Sequence, residues 1–454
     1  MALPDDLTEL LSPGRVSNHQ AALEFAAHDE SACPPSLPDI VVWPLTTEEV
    51  GRVVRYACEK NIALTARGAG SSLEGNPIPV RGGIVLDLSR MDRILSVHVE
   101  DLQVTVQPGS VYNDLNEQLK SHGLFFPPSP GGSADVATIG GMVANNASGI
   151  YSVKYGGTRD HVKAATVVTG TGEILHLGTR SRKTSSGYHL LGLVVGSEGT
   201  LAIATELTLS LIGLPQGHRQ GAFTFASEKD AVTAIATMMR YGVDLAAVEF
   251  LDRRCIAALN RFQDFALEEQ SSLFIEVHGT GISVEEVFQV AKTLCEENQG
   301  TLIVLPGKQS AWDIRHFTTR AIQALNPRAK TIRTDMGFPI SRLPDVIEES
   351  YAIAERHDVV LHTFGHAGLG ILHALLREDP ADTQRWKTAH LAKDEMVAFV
   401  LSIGGTASGE HGIGLGSQKY VEQEHGPALE LMKGVKQLFD PRGILNPGKI
   451  WMSD

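Results

Sequence analysis

The chain has only four cysteines in 454 residues, Cys33, Cys58, Cys255 and Cys295, and they lie far apart. No CxxC pair occurs, so the sequence suggests neither a disulfide framework nor an iron–sulfur or zinc-ribbon site. A reducing compartment fits. Long apolar runs are missing too, since none approaches the ~18 residues of a transmembrane helix. The opening "MALPDDLTELLSPGR" lacks the basic start and apolar stretch of a signal peptide, and it is not an Arg-rich transit peptide. No basic amphipathic helix suggests docking on a membrane. A cytoplasmic place is expected, with peripheral association with the inner membrane left open. Positive charge is in deficit: 39 Lys and Arg stand against 53 Asp and Glu, for a net charge of -14. This argues against nucleic acid as a partner, although a few buried arginines can still hold an anionic substrate.

Glycine is plentiful, with 45 residues, above the usual share of about 7%. The glycines cluster, which points to tight loops. The length exceeds what one hydrophobic core usually serves, so two or three domains are expected. Residues 1–35 read as a short helical lead. From "DIVVWPLTTEEVGRVVRYACEKNIALTARGAGSS" the chain alternates strand, helix, strand and Gly-rich loop. Thr46 or Thr47 can cap that helix, and Val50, Val53, Val54 and Ala57 recur at helical spacing. Strands such as "GGIVLDLS" and "LQVTVQPG" carry the region to about 214. Residues 215–404 read as an α+β domain on one sheet, with strands "LAAVEFLD", "SSLFIEVHG" and "VVLHTFGH" between helices. Residues 405–454 form a Gly-rich return.

"ARGAGSSLEGNP" follows an apparent strand, where a Gly-rich loop can turn backbone N–H groups onto a phosphate. It is neither a dinucleotide fingerprint of the GxGxxG type, because Leu73 takes the third position, nor a Walker A loop. A plain turn remains an alternative for this loop alone. Two further loops, "PPSPGGSADVATIGGMVANNASG" and "GSEGTLAIAT", also lie at strand ends. Three such loops favour an extended ligand, and a dinucleotide is long enough.

The C-terminal half carries acid–base candidates. "ASGEHGIGLG" sets Glu410 beside His411 on uncrowded backbone. "HTFGHAGLGILHALL" reads as strand, Gly turn, strand, so His366 and His373 can face each other across a hairpin. With Glu410 they form a His, His, carboxylate set that suits Zn²⁺ or Mn²⁺. Ordinary packing of two histidines is the local alternative. "AWDIRHFTTRAI" reads as a helix on which Trp312, Arg315 and Thr319 share one face.

The series "RGAGSSLEG", "QPG", "LNEQLKSHGLFFPPSPG", "TIGGMVANNASG", "YGGTRDHV" and "SSGYHLLGLVVGSEGTLAIAT" resembles the FAD-binding domain of the vanillyl-alcohol-oxidase superfamily, of p-cresol methylhydroxylase type. The resemblance continues through "VEFLD", "FIEVHG", "RTDMGFPISRLP", "SGEHGIG" and "DPRGILNPGKI". Within the superfamily the chain resembles FAD-dependent D-2-hydroxyacid dehydrogenases: the D-lactate dehydrogenase branch first, then D-2-hydroxyglutarate dehydrogenases and glycolate oxidase subunits. The implied fold is α+β: an FAD-binding domain in two parts (36–214), a cap domain with a largely antiparallel sheet (215–404), and a segment (405–454) returning to the FAD domain.

The resemblance also implies roles. Arg67, Gly68, Ala69, Gly70, Ser71, Ser72, Gly75 and Asn76 would hold the pyrophosphate. Pro130, Thr138, Gly140, Gly141, Asn145, Ser148 and Gly149 would line the flavin, and Glu198, Gly199 and Ile203 would complete the groove. Asn446 and Lys449 match a return strand at the flavin edge. Members that link FAD covalently through the first loop use a histidine there; this chain has Asn76, so noncovalent FAD is expected. Relatives read HxGDGNxH where this chain keeps His366 and His373 but has Leu369 and Ile371. The metal ligands implied are His366, His373 and Glu410, with zinc or manganese as the ion. His411 would be the general base, Arg315 the carboxylate anchor with Thr319 beside it, and Arg333 a residue able to admit a second carboxylate. The implied reaction is oxidation of a D-2-hydroxy acid, D-lactate first, with a quinone, a cytochrome or an electron-transfer flavoprotein as acceptor. D-2-hydroxyglutarate, D-malate, glycolate, or a binding subunit with an impaired site are the alternatives. A homodimer fits.

Overall fold

The computed structural model describes residues 3–263, 265–305 and 310–452. The chain divides into two compact units, one of residues 1–148, 156–214 and 410–454, the other of residues 149–155 and 215–409.

The first unit holds two main sheets. In the smaller, Ile40–Val42, Ile84–Asp87 and Leu64–Arg67 run parallel, with Val16–Ser17 antiparallel at the edge. Parallel strands need a crossover, and the helix Thr47–Lys60 supplies the one from Ile40–Val42 to Leu64–Arg67, with Ile84–Asp87 between them in the sheet. Thr46, not Thr47, caps that helix by accepting from the Glu49 amide, and Asn61 ends it in a left-handed conformation. Val50, Val53, Val54 and Ala57 are fully buried, as their spacing predicts. The larger sheet is antiparallel, in the order Ile94–His98, Gln103–Val106, Ala202–Ser210, Val162–Thr169, Ile174–Gly178. The Gly/Asn-rich stretch after Pro127 is not all loop: it contains the helix Ile139–Asn145, capped by Thr138. The segment around Asn446 and Lys449 is a turn held by a bridge from Leu445 to Leu64 rather than a strand.

The second unit is built on an antiparallel sheet ordered Thr301–Ile303, Gly217–Phe225, Ser271–Gly279, Ala247–Leu251, Leu361–Gly365, Ile371–Glu378, Lys330–Arg333. Met336–Gly337 also pairs with Ile371–Glu378. Ala247–Leu251 is buried along its whole length and Ser271–Gly279 along all but its last residue, as strands covered on both faces are. Helices Arg253–Phe262, Ala311–His316 and Thr318–Ala324 share one core with Leu251, Phe274 and Leu375. Helices Glu228–Arg240, Gly281–Glu297, Leu343–Arg356 and Thr383–Ser402 pack among themselves in a second layer.

Candidate active site

In the first unit the predicted cofactor loops are tied together by a buried polar lock. Glu198, with a left-handed φ of 54°, lies just before Gly199. Its carboxylate accepts from Asn76 Nδ2 at 2.6 Å and from the amides of Ile413 and Gly414 at 2.7 and 2.8 Å. Asn446 Nδ2 donates to the carbonyls of Asn76 and Glu198 at 3.0 and 2.7 Å. Lys449 Nζ donates to the Ile78 carbonyl at 2.5 Å. Four residues expected around the cofactor therefore join four distant stretches of chain. Burial raises the Glu198 carboxyl above the ordinary carboxylate range, against the lowering effect of those donors and of Lys449. Burial pushes Lys449 down to about 8, against the nearby Glu198 and Asp29.

The lock holds the "GEHGIG" segment. Gly412 has a φ of +80°, and a Cβ there would lie 2.9 Å from Asn76 Nδ2 and from Glu198 Oε1. Only glycine lets the backbone pass this close. Asn145 Nδ2 donates to the His411 carbonyl at 3.0 Å, and Ser148 Oγ donates to Glu410 Oε2 at 2.8 Å. His411 is thus positioned through its main chain, while its imidazole Nε2 stands 3.8 Å from Glu410 Oε1.

The first Gly-rich loop leaves the strand Leu64–Arg67. A side chain at Gly68 would collide with the Thr138 hydroxyl, so this loop and the cap of the helix Ile139–Asn145 meet without a side chain between them. Arg67 is buried, donates to the His28 carbonyl at 2.8 Å, and has Asp87 and Asp29 as its charged neighbours. Backbone loops with small residues and hydroxyls, closing around a buried arginine, fit a pyrophosphate-containing cofactor. Ile203 is packed in the apolar core next to this sheet. Gly149 opens the 149–155 segment of the second unit, its amide donating to Ser152 Oγ at 3.1 Å.

In the second unit the hairpin forms as expected. His366 follows the strand Leu361–Gly365, His373 lies in the strand Ile371–Glu378, and their rings are 5.6 Å apart at 89°. Each ring has a carboxylate beside it. His366 Nδ1 is 2.5 Å from Glu249 Oε1, and His373 Nδ1 is 3.5 Å from Asp335 Oδ1. At His366 an Nδ1–H donated to Glu249 fixes the tautomer whose Nε2 carries the lone pair, the usual preparation of a histidine for a divalent ion. Two histidines, each beside a buried carboxylate, are donors of the kind that a Zn²⁺- or Mn²⁺-type ion takes.

Arg315 donates through Nε to Glu249 Oε2 at 2.7 Å, and its guanidinium lies 4.7 Å from the Phe364 ring. The helix expected to carry both Arg315 and Thr319 breaks at Phe317, so the two residues sit on consecutive short helices. Trp312 Nε1 donates to the buried Glu276 carboxylate, which also meets His278 Nε2 at 2.7 Å. Arg333 ends the strand Lys330–Arg333, opposite Leu375. Two residues on, Asp335 falls opposite His373 and accepts from Ser408 Oγ at 2.9 Å.

Residues 38–178 match the family model described as FAD binding domain, and residues 214–450 match that of FAD linked oxidases, C-terminal domain. The chain belongs to the FAD-linked oxidases. It is 38% identical over 445 residues to "Probable D-lactate dehydrogenase, mitochondrial" of Danio rerio, covering 96% of this chain and 88% of that protein. It is 30% identical to "Glycolate oxidase subunit GlcD" of Bacillus subtilis, covering 99% and 97%. The fold is that of p-cresol methylhydroxylase, with a TM-score of 0.82 at 15% identity over 99% of this chain and 96% of that one. No helix among the described residues is long and apolar enough to cross a membrane.

For this FAD-linked oxidase, sequence reasoning overlooked Glu249 and Asp335. Glu249 had a visible signal: a lone acid inside the apolar strand "LAAVEFLD" has to be paired if the strand is buried. Asp335 had a weaker one, two residues past Arg333 and so on the same side of an extended strand.

Proposed function

We propose that the chain is an FAD-dependent dehydrogenase that oxidises a D-2-hydroxy acid, D-lactate first, to the 2-oxo acid and passes the electrons to an external acceptor. Arg315 would bind the substrate carboxylate, with Thr319 beside it. His411 would take the hydroxyl proton at its imidazole, and Arg67 to Asn76, Thr138 to Gly149 and Glu198 to Ile203 would hold noncovalent FAD. When bound, the flavin supplies the hydride acceptor, and a divalent ion held by His366, His373 and Glu410 supplies Lewis acidity at the substrate oxygen. The observation that carries the reading is the paired setting of Arg315 and His366 on one buried carboxylate, Glu249. The resemblance, in which the Glu of GEHG is a metal ligand, supports adding Glu410 and His411. The mitochondrial D-lactate dehydrogenases of Arabidopsis thaliana and Saccharomyces cerevisiae carry "cytochrome" in their names. A cytochrome is therefore the first acceptor to try, ahead of a quinone or an electron-transfer flavoprotein.

A dicarboxylic 2-hydroxy acid is the second reading. Burial lowers the Arg377 guanidinium and the charge of Arg333 lowers it further, so two cations stand close on adjoining strands. Such a pair would favour a second carboxylate.

The test is dye-linked turnover of purified protein with D-lactate, before and after chelation, together with acid precipitation. Turnover that falls on chelation and returns with Zn²⁺ or Mn²⁺, with FAD released by acid, is the expected result. Turnover indifferent to complete metal removal would sink the metal assignment, and flavin retained on the precipitate would sink noncovalent binding.

A further inference from the structure

We propose that Glu249 is a positioning residue that couples the substrate-carboxylate anchor Arg315 to the metal-ligand histidine His366, so that the two are loaded cooperatively. The inference rests on the reading of those two residues given above. Glu249 sits mid-strand in Ala247–Leu251 and is 0% exposed. The register Phe250↔Gly365 places it directly opposite His366 across the strand pair. Its two oxygens are divided: Oε1 faces His366 Nδ1 at 2.5 Å, and Oε2 takes Arg315 Nε at 2.7 Å.

Stability alone is a poor reason for this arrangement. A buried ion pair is often no better than apolar residues of the same volume, because desolvation offsets the attraction. Asp335 stands beside His373, another of the proposed reaction residues, and two further buried acids of the unit do different work. Asp252 caps the helix Arg253–Phe262 and accepts from Tyr351 and the Thr363 amide. Glu276 meets Trp312, His278 and Gln220. Unlike those two, Glu249 joins two residues with roles in the reaction.

The geometry sets what each partner offers. With its Nε edge on Glu249, Arg315 meets a substrate carboxylate through its two Nη atoms, the bidentate arrangement. With Nδ1–H on Glu249, His366 presents the lone pair of Nε2 to a cation. The two share one negative charge. A cation at His366 Nε2 makes Nδ1–H a stronger donor and draws charge on Glu249 toward Oε1. Arg315 is then less neutralised and attracts a carboxylate more strongly. By linkage, a bound carboxylate raises metal affinity by the same factor.

The test uses the full chain loaded with FAD and two binding readouts that do not need turnover. One is the Kd for Zn²⁺ or Mn²⁺ from elemental analysis after equilibrium dialysis. The other is the Kd for propionate, which has the carboxylate but no 2-oxygen, from perturbation of the flavin spectrum. Glu249→Gln is expected to weaken metal binding by about tenfold to a hundredfold and, by leaving Arg315 without its neutralising charge, to tighten propionate binding. Arg315→Met, which leaves the Glu249 charge to His366 alone, should tighten metal binding although Arg315 is no ligand, and His366→Ala, which leaves that charge to Arg315 alone, should weaken propionate binding. Glu276→Gln, also buried and joined to the same helix through Trp312, should leave metal affinity unchanged. Glu249→Gln with both constants within twofold of the parent would overturn the proposal. If that variant does not fold, the cross-effects decide: Arg315→Met with unchanged metal affinity overturns it as well. A parent protein that binds no metal and is not reduced by D-lactate would instead count against the reaction proposed above. A parent that does both, with no cross-effect in the variants, defeats the coupling alone.

Discussion

Glu198 in the first unit and Glu249 in the second are both fully buried carboxylates, yet their surroundings push them in opposite directions. Burial raises both. At Glu198 the partners are chiefly neutral, one side-chain amide and two backbone amides, with Lys449 contributing least, and burial prevails. At Glu249 the charges of His366 and Arg315 outweigh burial and hold the carboxyl below its ordinary range. The difference separates two uses of a buried acid. Glu198 organises backbone and fixes the segment that carries Glu410 and His411. Glu249 organises charged side chains and sets how they present themselves to ligands.

The sharpest way to separate scaffold from chemistry is His411→Asn. The structural tie of His411 runs through its carbonyl, so the variant should keep its FAD and its Tm. Its kcat should fall by about 10²–10⁴, the usual contribution of a general base. A drop of less than tenfold, measured by rapid mixing with D-lactate, would remove His411 from that role.

Next in size is Arg333→Ala. It should leave kcat/KM for D-lactate within about twofold and cut that for D-2-hydroxyglutarate about tenfold or more, the scale of one charge-assisted hydrogen bond. Equal losses on both acids would show that Arg333 does not read a second carboxylate.

Glu198→Gln tests the scaffold side. A glutamine amide cannot accept on both sides from three donors. The loss should be about 1–3 kcal/mol of stability, read as a lower Tm and earlier release of FAD. Lower metal affinity with an unchanged Tm would erase the distinction drawn between the two glutamates.

The smallest effect is a pair of opposite pH slopes, measured as Tm in metal-free protein. A carboxyl raised on folding stabilises below its unfolded value and loses that contribution as pH rises through its folded value. The Tm gap between parent and Glu198→Gln should therefore shrink from about pH 4 to pH 7, the side of the unfolded carboxyl's value where such a shift acts. A carboxyl lowered on folding stabilises above its unfolded value and loses that contribution as pH falls. The gap for Glu249→Gln should therefore widen over the same interval. Slopes of the same sign would contradict the contrast.

Much of this was legible in the sequence. The α+β reading of residues 215–404, the helix Thr47–Lys60 and the hairpin of His366 and His373 follow from periodicity and turn residues, which are local. The resemblance carried the FAD domain, and the family match agrees with it. What escaped was non-local. Glu249 and His366 are 117 residues apart, and only strand register brings them opposite each other. Asp335 meets His373 for the same reason. The shared face of Arg315 and Thr319 assumed a continuous helix, and the break at Phe317 has no glycine or proline to announce it. Asn76, Glu198 and Asn446 were read as cofactor contacts, and their bonds to one another could not be seen in three separate loops.

The account's central claim is a flavin reduced by a D-2-hydroxy acid, and the most direct measurement is anaerobic. Purified protein is mixed with D-lactate, L-lactate or D-2-hydroxyglutarate while the visible flavin spectrum is followed. The account predicts rapid bleaching by D-lactate and none by its L-enantiomer. A yellow, metal-loaded protein that none of the three acids bleaches would contradict it.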